Sequence, residues 1–367
     1  MKKIALLFAL LAISGMHVFA AAPSNVPVVW HSLDSMPLLG SLAPDASAKY
    51  SRLPDALKDS IRPDLWALGL NSAGLSVRFR SDSPRIKMRW KSRNRFGMNH
   101  MTATGVRGLD LYVLQPDSTW TTVSSARPGS KATTETTVVA DMQPGIDREY
   151  MLFLSLYDGV DSLYVGIDSA TTLSYPAVDL PRREKPLVMY GTSILQGGCA
   201  TRPGMAHTNI LQRMLQREVV NLGFSGNARL DPEIAHLMAE ADASCFVIDA
   251  LPNCTADIVD ERMEAFIAIL REAHPTTPIM LVESPWFPIM RFDREVSDTL
   301  REKNRRLRAI YDRLAQTDKN LHYFEADNII PDPEATVDNY HLTDLGFLNF
   351  ANALAEELRK LEVSSEK

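Results

Sequence analysis

The pattern of apolar and polar residues divides the chain into two halves that meet near residue 180. In the first half the apolar segments are short, and several alternate with charged residues, as in VRFR (77–80) and IKMRW (86–90). Alternation with a period of two is typical of antiparallel strands that bury one face and expose the other. We therefore predict a β-sandwich over residues 25–178. Its clearest predicted strands are 75–81, 85–92, 109–115, 149–156 and 161–168.

In the second half, continuously apolar segments alternate with helical ones, after a proline- and charge-rich linker at 179–186. Apolar strands that alternate with helices indicate a parallel sheet covered on both faces, so we predict an α/β domain over residues 185–362. The predicted strands are 186–191, 219–224, 245–251, 278–284 and 321–327. The predicted helices are 207–218, 231–241, 256–273, 295–315 and 343–361, with Asp231 and Thr343 as N-caps.

The first 20 residues predict a secretory signal peptide. Two lysines precede an apolar stretch that ends at Val18-Phe19-Ala20, which is similar to an A-x-A cleavage site. The alternative is a membrane anchor, but no charged residues close the apolar run on its far side. We expect an exported protein, periplasmic or secreted, without a stable membrane anchor.

Composition and charge narrow the choice of partners. The chain has 367 residues, 45% of them hydrophobic, which is enough for a large core and about two domains. A formal net charge of -6 and the lack of a long basic run argue against a nucleic-acid partner.

The three cysteines do not match a zinc motif. Cys245 is expected in the core, whereas Cys199 and Cys254 fall in loops, where a disulfide between them is one alternative and free thiols the other.

Polar residues follow the predicted parallel strands where each strand ends. In an open parallel sheet, reactive residues collect just beyond the carboxyl ends of the strands. Here these residues are Ser193, Gly226, Asn253, Asp338 and His341. Each has an ordinary structural explanation in a turn, a cap or a loop. Together they supply a nucleophile, oxyanion donors, a base and a group that orients the base, which are the parts of an acyl-transfer site.

Two other sites are excluded by spacing. The nucleophile elbow of α/β-hydrolases requires G-x-S-x-G, but Leu195 occupies the position of the second glycine. The segment GTSILQGG (191–198) also lacks the lysine and the glycine spacing of a phosphate-binding loop.

The four blocks GTSI, NLGFSGN, DALPNC and DNYH resemble the SGNH hydrolases, also called GDSL-type esterases. The segment GLDLY (108–112) is similar to the G-x-D-L-Y β-sandwich domain that precedes a bacterial subgroup of them. The resemblance implies a three-layer α/β/α, flavodoxin-like hydrolase domain after the sandwich. It also implies roles for five residues: Ser193 as nucleophile, His341 as base, Asp338 as its orienting carboxylate, and the Ser193 and Gly226 N–H groups with the Asn253 amide as the oxyanion hole.

The resemblance implies an esterase that requires neither a metal ion nor an organic cofactor. We expect an acylated small molecule or carbohydrate as substrate, with acetyl or another short acyl group removed. Loop residues Arg202, Trp286 and Asn99 are candidate substrate contacts, although loop packing would explain each of them equally well. A lipase or lysophospholipase, and an inactive carbohydrate-binding protein, are the alternatives. Oligomeric state is not predicted.

Overall fold

The computed structural model describes residues 26–326, 329–330 and 332–365. The predicted signal peptide, residues 1–20, lies outside the described residues. Within the described part, no helix combines the length and apolarity needed to cross a membrane.

The N-terminal half consists of two antiparallel sheets that enclose a shared core. One sheet has the order β1-β9-β4-β7, and the other has the order β10-β3-β8-β5-β6 with β2 paired to β3. The strands are β1 (Val28–Ser32), β2 (Leu38–Leu39), β3 (Ser76–Ser81), β4 (Ile86–Ser92), β5 (Leu109–Leu114), β6 (Trp120–Ala126), β7 (Thr133–Val139), β8 (Arg148–Phe153), β9 (Val160–Asp168) and β10 (Leu173–Ser174). Two short helices, α1 (Pro63–Gly69) and α2 (Ala103–Arg107), lie in its loops. Trp90, Phe79 and Tyr150 fill the core between the sheets.

The C-terminal half is a parallel sheet of order β12-β11-β13-β14-β15 with helices on both faces. Its strands are β11 (Arg182–Gly191), β12 (Arg217–Gly223), β13 (Cys245–Asp249), β14 (Ile279–Val282) and β15 (Leu321–Phe324). Its helices are α3 (Ser193–Gln196), α4 (His207–Leu215), α5 (Pro232–Ala239), α6 (Ala256–Ala273), α7 (Arg294–Leu314) and α8 (Asp344–Ser365). Two separate apolar clusters cover the sheet, one on each face. The predicted α/β class and the β-sandwich are confirmed.

The register of the parallel strands brings three strand ends to one level. Gly191 at the end of β11 pairs with Gly223 on β12 and with Asp249 on β13. The loops that follow these strands therefore begin side by side at one edge of the sheet. This edge positions the candidate site.

The two halves pack tightly, which corrects the expectation of a solvated face on β3. Arg78 is only 3% exposed, and its guanidinium lies 4.8 Å from the centre of the Trp120 ring. The reason is that α4 covers this face of the six-stranded sheet, where Gln212 Nε2 donates to Ser76 Oγ at 3.0 Å. Alternation along a strand therefore distinguishes its two faces but does not say which neighbour covers the second one.

Element ends also differ from the sequence predictions. The expected linker 179–186 overlaps β11, which begins at Arg182. The helix predicted to reach residue 218 ends at Leu215, because Gln216 adopts a left-handed φ of 49°. Asp231 precedes α5 as expected, but its carboxylate makes no cap bond and instead pairs with Arg62 at 2.9 Å.

Candidate active site

Ser193 is the first residue of α3, two residues past the end of β11. The turn depends on Gly191, since a Cβ there would lie 2.6 Å from the Asp249 carbonyl oxygen. Thr192 caps the short helix by accepting a hydrogen bond from the Ile194 N–H at 3.3 Å. Ser193 is 9% exposed, so only a small part of the residue is accessible to solvent.

His341 and Asp338 come from the loop that precedes α8 and reach Ser193 across the sheet edge. His341 Nε2 lies 2.9 Å from Ser193 Oγ, and His341 Nδ1 lies 2.8 Å from Asp338 Oδ2. An ionised carboxylate only accepts hydrogen bonds, so Nδ1 carries the proton and the Nε2 lone pair faces the serine hydroxyl. The structure thus brings together three of the residues singled out in the sequence.

The Asp338 carboxylate is held in its ionised form. Burial alone would raise its pKa, but hydrogen bonds from the His341 ring and from the His341 and Tyr340 backbone N–H groups outweigh burial and lower the pKa. The His341 N–H donates to Asp338 Oδ1 at 2.8 Å, so both carboxylate oxygens bind the same residue. This double contact fixes the orientation of the imidazole ring.

Three hydrogen-bond donors lie at the neighbouring strand ends. Gly226 has a left-handed φ of 68°, and a Cβ added there would meet nothing within 4 Å, so open space adjoins this residue. Asn253 Oδ1 accepts from the Ala228 N–H at 3.3 Å, which turns the amide NH₂ away from that bond. Among the described residues, the Ser193 N–H, the Gly226 N–H and Asn253 Nδ2 have no recorded acceptor. These donors remain available to a ligand oxygen.

The residues predicted to contact substrate are placed differently. The Arg202 guanidinium bonds Asp110 Oδ2 and the Tyr112 hydroxyl, both at 2.5 Å, so it joins the two domains rather than lining an open cleft. Burial lowers the pKa of Arg202, but Asp110 and Tyr112 outweigh it and raise the pKa, which keeps the guanidinium charged. Trp286 is half-buried in the loop after β14, and its ring lies 4.9 Å from the Arg291 guanidinium.

Asn99 lies in the sandwich loop beside the site, where its side chain bonds His100. Its Oδ1 accepts a hydrogen bond from His100 Nδ1 at 2.9 Å, and the His100 ring centre lies 5.7 Å from that of His341. The sandwich domain therefore reaches the sheet edge through this loop. The sequence singles out this loop, but no pattern in it indicates contact between His100 and His341.

Two further neighbours of Ser193 carried no sequence signal. The Tyr157 hydroxyl, from the sandwich, donates to the Ser193 carbonyl at 3.2 Å. Cys199 is buried near Asp338, and burial first, then the Asp338 charge, raise the pKa of its thiol to about 12. The thiol therefore stays protonated at neutral pH, which is the poorly nucleophilic form of a cysteine.

The alternative of a Cys199–Cys254 disulfide is not realised. Both cysteines are free and buried. Cys254 packs in the cluster on the face of α5 and α6, where its Sγ lies 3.5 Å from the Ala228 carbonyl oxygen. Cys199 instead lies next to His341. The loops that carry them leave different strands, and the two side chains point to different neighbours.

Comparison with known proteins places this geometry in a family. Residues 184–359 match the GDSL-like lipase/acylhydrolase family, and residues 28–173 match the GxDLY domain found at the N-terminus of SGNH-hydrolase-type esterases. A solved GDSL-like lipase from Bacteroides ovatus ATCC 8483 is 30% identical, with a TM-score of 0.86, over 91% of this chain and 98% of that one. This chain belongs to the GDSL-like lipase/acylhydrolase family. The resemblance inferred from the sequence is confirmed, and the chain is an esterase.

More distant structures share the fold of this GDSL-family esterase. The salicylyl-acyltransferase SsfX3 from a tetracycline biosynthetic pathway is 19% identical with a TM-score of 0.72, covering 93% of this chain and 97% of that one. A family two carbohydrate esterase from Cellvibrio japonicus is 12% identical with a TM-score of 0.59, covering 91% and 98%. A search of curated protein sequences found no match.

Proposed function

We propose that this GDSL-family esterase is an exported serine enzyme that removes acetyl or other short acyl groups from carbohydrates. The observation that carries the proposal is the contact of Ser193 Oγ with His341 Nε2 at 2.9 Å, with Asp338 on the opposite ring nitrogen. A serine hydroxyl is a weak nucleophile unless a neighbouring base takes its proton. His341 is placed to do so, and Asp338 stabilises the imidazolium that forms.

The reaction then proceeds in two steps. Ser193 Oγ attacks the ester carbonyl carbon while its proton moves to His341 Nε2, and the carbonyl oxygen becomes an oxyanion. The oxyanion accepts hydrogen bonds from the Ser193 and Gly226 N–H groups and from Asn253 Nδ2. When the C–O bond breaks, His341 returns the proton to the leaving alcohol. A water molecule, deprotonated by His341, releases the acid from the acyl-serine in the same way.

Three features support a short acyl group on a carbohydrate. Ser193 is 9% exposed, and the loops next to it carry no long apolar run that could line a channel for a fatty acyl chain. The N-terminal sequence is typical of export. Two solved proteins of the same fold are described as family two carbohydrate esterases, from Cellvibrio japonicus and Clostridium thermocellum.

A panel of p-nitrophenyl esters from acetate to palmitate, together with acetylated xylan, tests the proposal. We expect hydrolysis of acetate and of the polysaccharide by the wild type, and loss of both in Ser193→Ala. A preference for long chains would favour a lipase or lysophospholipase. If no substrate is hydrolysed in a Ser193-dependent manner, a carbohydrate-binding protein without activity becomes the better account.

A further inference from the structure

Three metal-ligating side chains meet at the active-site edge. One ligand atom each from His100, Cys199 and His341 lies within 4.8 Å of the others. His100 comes from the sandwich, whereas Cys199 and His341 come from two separate loops of the hydrolase domain. Two imidazoles and a thiolate form a donor set that suits zinc and related divalent ions.

His100 is oriented as metal-binding histidines usually are. Its Nδ1 lies 2.9 Å from Asn99 Oδ1, and because an amide oxygen only accepts, Nδ1 carries the proton. The lone pair of the neutral ring is therefore on Nε2, which has no recorded partner among the described residues. A hydrogen bond from the second ring nitrogen to an oxygen is the usual way in which proteins fix the tautomer of a metal-binding histidine.

Cys199 lies next to His341 and has a backbone conformation that is rare for its residue type. It has a left-handed φ of 74°, which side chains other than glycine, asparagine and aspartate rarely adopt. Such conformations persist where the surrounding structure fixes them, and they concentrate at functional sites. The residue is 4% exposed, and in the described part of the chain no hydrogen-bond acceptor is recorded for its thiol.

We propose that His100, Cys199 and His341 bind zinc, and that the bound zinc switches the esterase off. The Cys199 thiol loses its proton to solvent as the Zn–S bond forms, and His100 and His341 each donate a ring-nitrogen lone pair. Zn–S and Zn–N bonds of about 2.3 and 2.0 Å require the ligand atoms to approach one another by about 1 Å. In His341 the lone pair lies on Nε2, so zinc takes the electron pair that would accept the Ser193 proton.

The inhibitory part rests on the proposed role of His341 as base, but metal binding itself does not. Binding is therefore measured first in Ser193→Ala, which has no nucleophile. Cobalt(II) titrated into this variant should produce the near-ultraviolet thiolate-to-cobalt charge-transfer absorption at one equivalent. Adding Cys199→Ser should abolish the absorption, whereas adding Cys254→Ser, which removes a buried thiol elsewhere, should leave it unchanged. Failure to observe the thiolate absorption would overturn the proposal whether or not the protein is an esterase.

Inhibition is then measured with zinc chloride in metal-free buffer, with p-nitrophenyl acetate as substrate. The zinc concentration for half inhibition should rise at least about 10-fold in Cys199→Ser and in His100→Phe, which keeps a ring against His341. Each variant is compared with its own zinc-free rate, and Cys254→Ser should behave as the wild type. Equal inhibition of the wild type and Cys199→Ser would contradict the proposal.

Discussion

Asp338 accepts hydrogen bonds from both the ring and the backbone N–H of His341. Its carboxylate therefore both orients the His341 ring and places a negative charge beside it. Asp338→Asn should keep the loop but lose the anion that fixes the Nδ1–H tautomer. We expect kcat to fall by about 10³- to 10⁴-fold with little change in KM, measured by steady-state hydrolysis of p-nitrophenyl acetate. A kcat within threefold of the wild type, in a variant with unchanged thermal stability, would argue against this role.

The Asn253 side-chain donor can be removed in two ways, by truncating the side chain or by replacing the amide with a carboxylate of similar size. Asn253→Ala should lower kcat by about 10²- to 10³-fold, because one hydrogen bond to the oxyanion is lost. Asn253→Asp keeps the volume and the acceptor for the Ala228 N–H but replaces the NH₂ donor with an oxygen. Both variants should lose activity in the same assay, and Asn253→Asp should lose at least as much as Asn253→Ala, because its carboxylate also repels the oxyanion. Near-normal activity in Asn253→Asp would mean that Asn253 acts by packing alone.

The sequence singled out five candidate residues because each occupies a strand end or a cap, where local patterns are strong, and the structure brings Ser193, His341 and Asp338 into contact. It could not predict the contacts of Arg202, His100 and Cys199. Those contacts join residues about 90 to 240 positions apart, and no local pattern encodes a partner on a different domain.

At the level of elements, the packing of α4 on α8 depends on a buried histidine. The His207 ring lies parallel to the Phe350 ring at a centroid distance of 4.6 Å, and neither His207 ring nitrogen has a hydrogen-bond partner among the described residues. Burial lowers the pKa of His207 to about 3, from 6.5 in an exposed histidine. Between these pH values His207 is protonated in the unfolded chain but neutral in the folded protein. The free energy of unfolding therefore falls as the pH drops from about 6.5 towards 3.

His207→Phe should remove this acid sensitivity. Between pH 7 and pH 5 the free energy of unfolding of the wild type should drop by about 2 kcal/mol more than that of the variant. Urea denaturation at both pH values measures the difference, and the exposed His236→Gln is the matched control. If the wild type and His207→Phe show the same pH dependence, then His207 does not titrate in this way.

A helix whose sequence contains a clear N-cap residue was predicted with the correct bounds. The helix predicted over 256–273 is observed as α6, Ala256–Ala273, where Thr255 caps the first turn by accepting from the Ile258 N–H at 3.2 Å. The strands β6 and β7 were not predicted, because their threonine- and serine-rich sequences carry no apolar alternation. These two strands form because they pair with β5 and β4, and such pairing is not visible in the local sequence.

At the level of the whole molecule, an ion pair links the sandwich to the segment that follows Ser193. Asp110, fully buried on β5, bonds the Arg202 guanidinium at 2.5 Å and the Gly204 N–H at 2.9 Å. Asp110→Asn should destabilise the protein by about 3 kcal/mol, because it leaves a largely buried guanidinium without its counter-charge. It should also lower kcat, since the segment from Gly197 to Gly204 passes beside His341.

Thermal or urea denaturation and ester hydrolysis check this prediction together. The control is Asp161→Asn, which removes a partly exposed carboxylate that pairs with Lys91 and Arg93 on the sandwich surface. That variant should change stability by less than about 1 kcal/mol and leave kcat unchanged. Equal effects of the two substitutions would show that the domain interface does not support the site.

The most direct test of the account is whether Ser193 is the activated nucleophile. Wild-type protein is treated with a fluorophosphonate probe, and the labelled residue is located by peptide mass mapping. We expect one label, on Ser193, with no label in Ser193→Ala and a labelling rate at least about 10³-fold lower in His341→Ala. A label on another serine, or labelling of Ser193 that does not depend on His341, would contradict it.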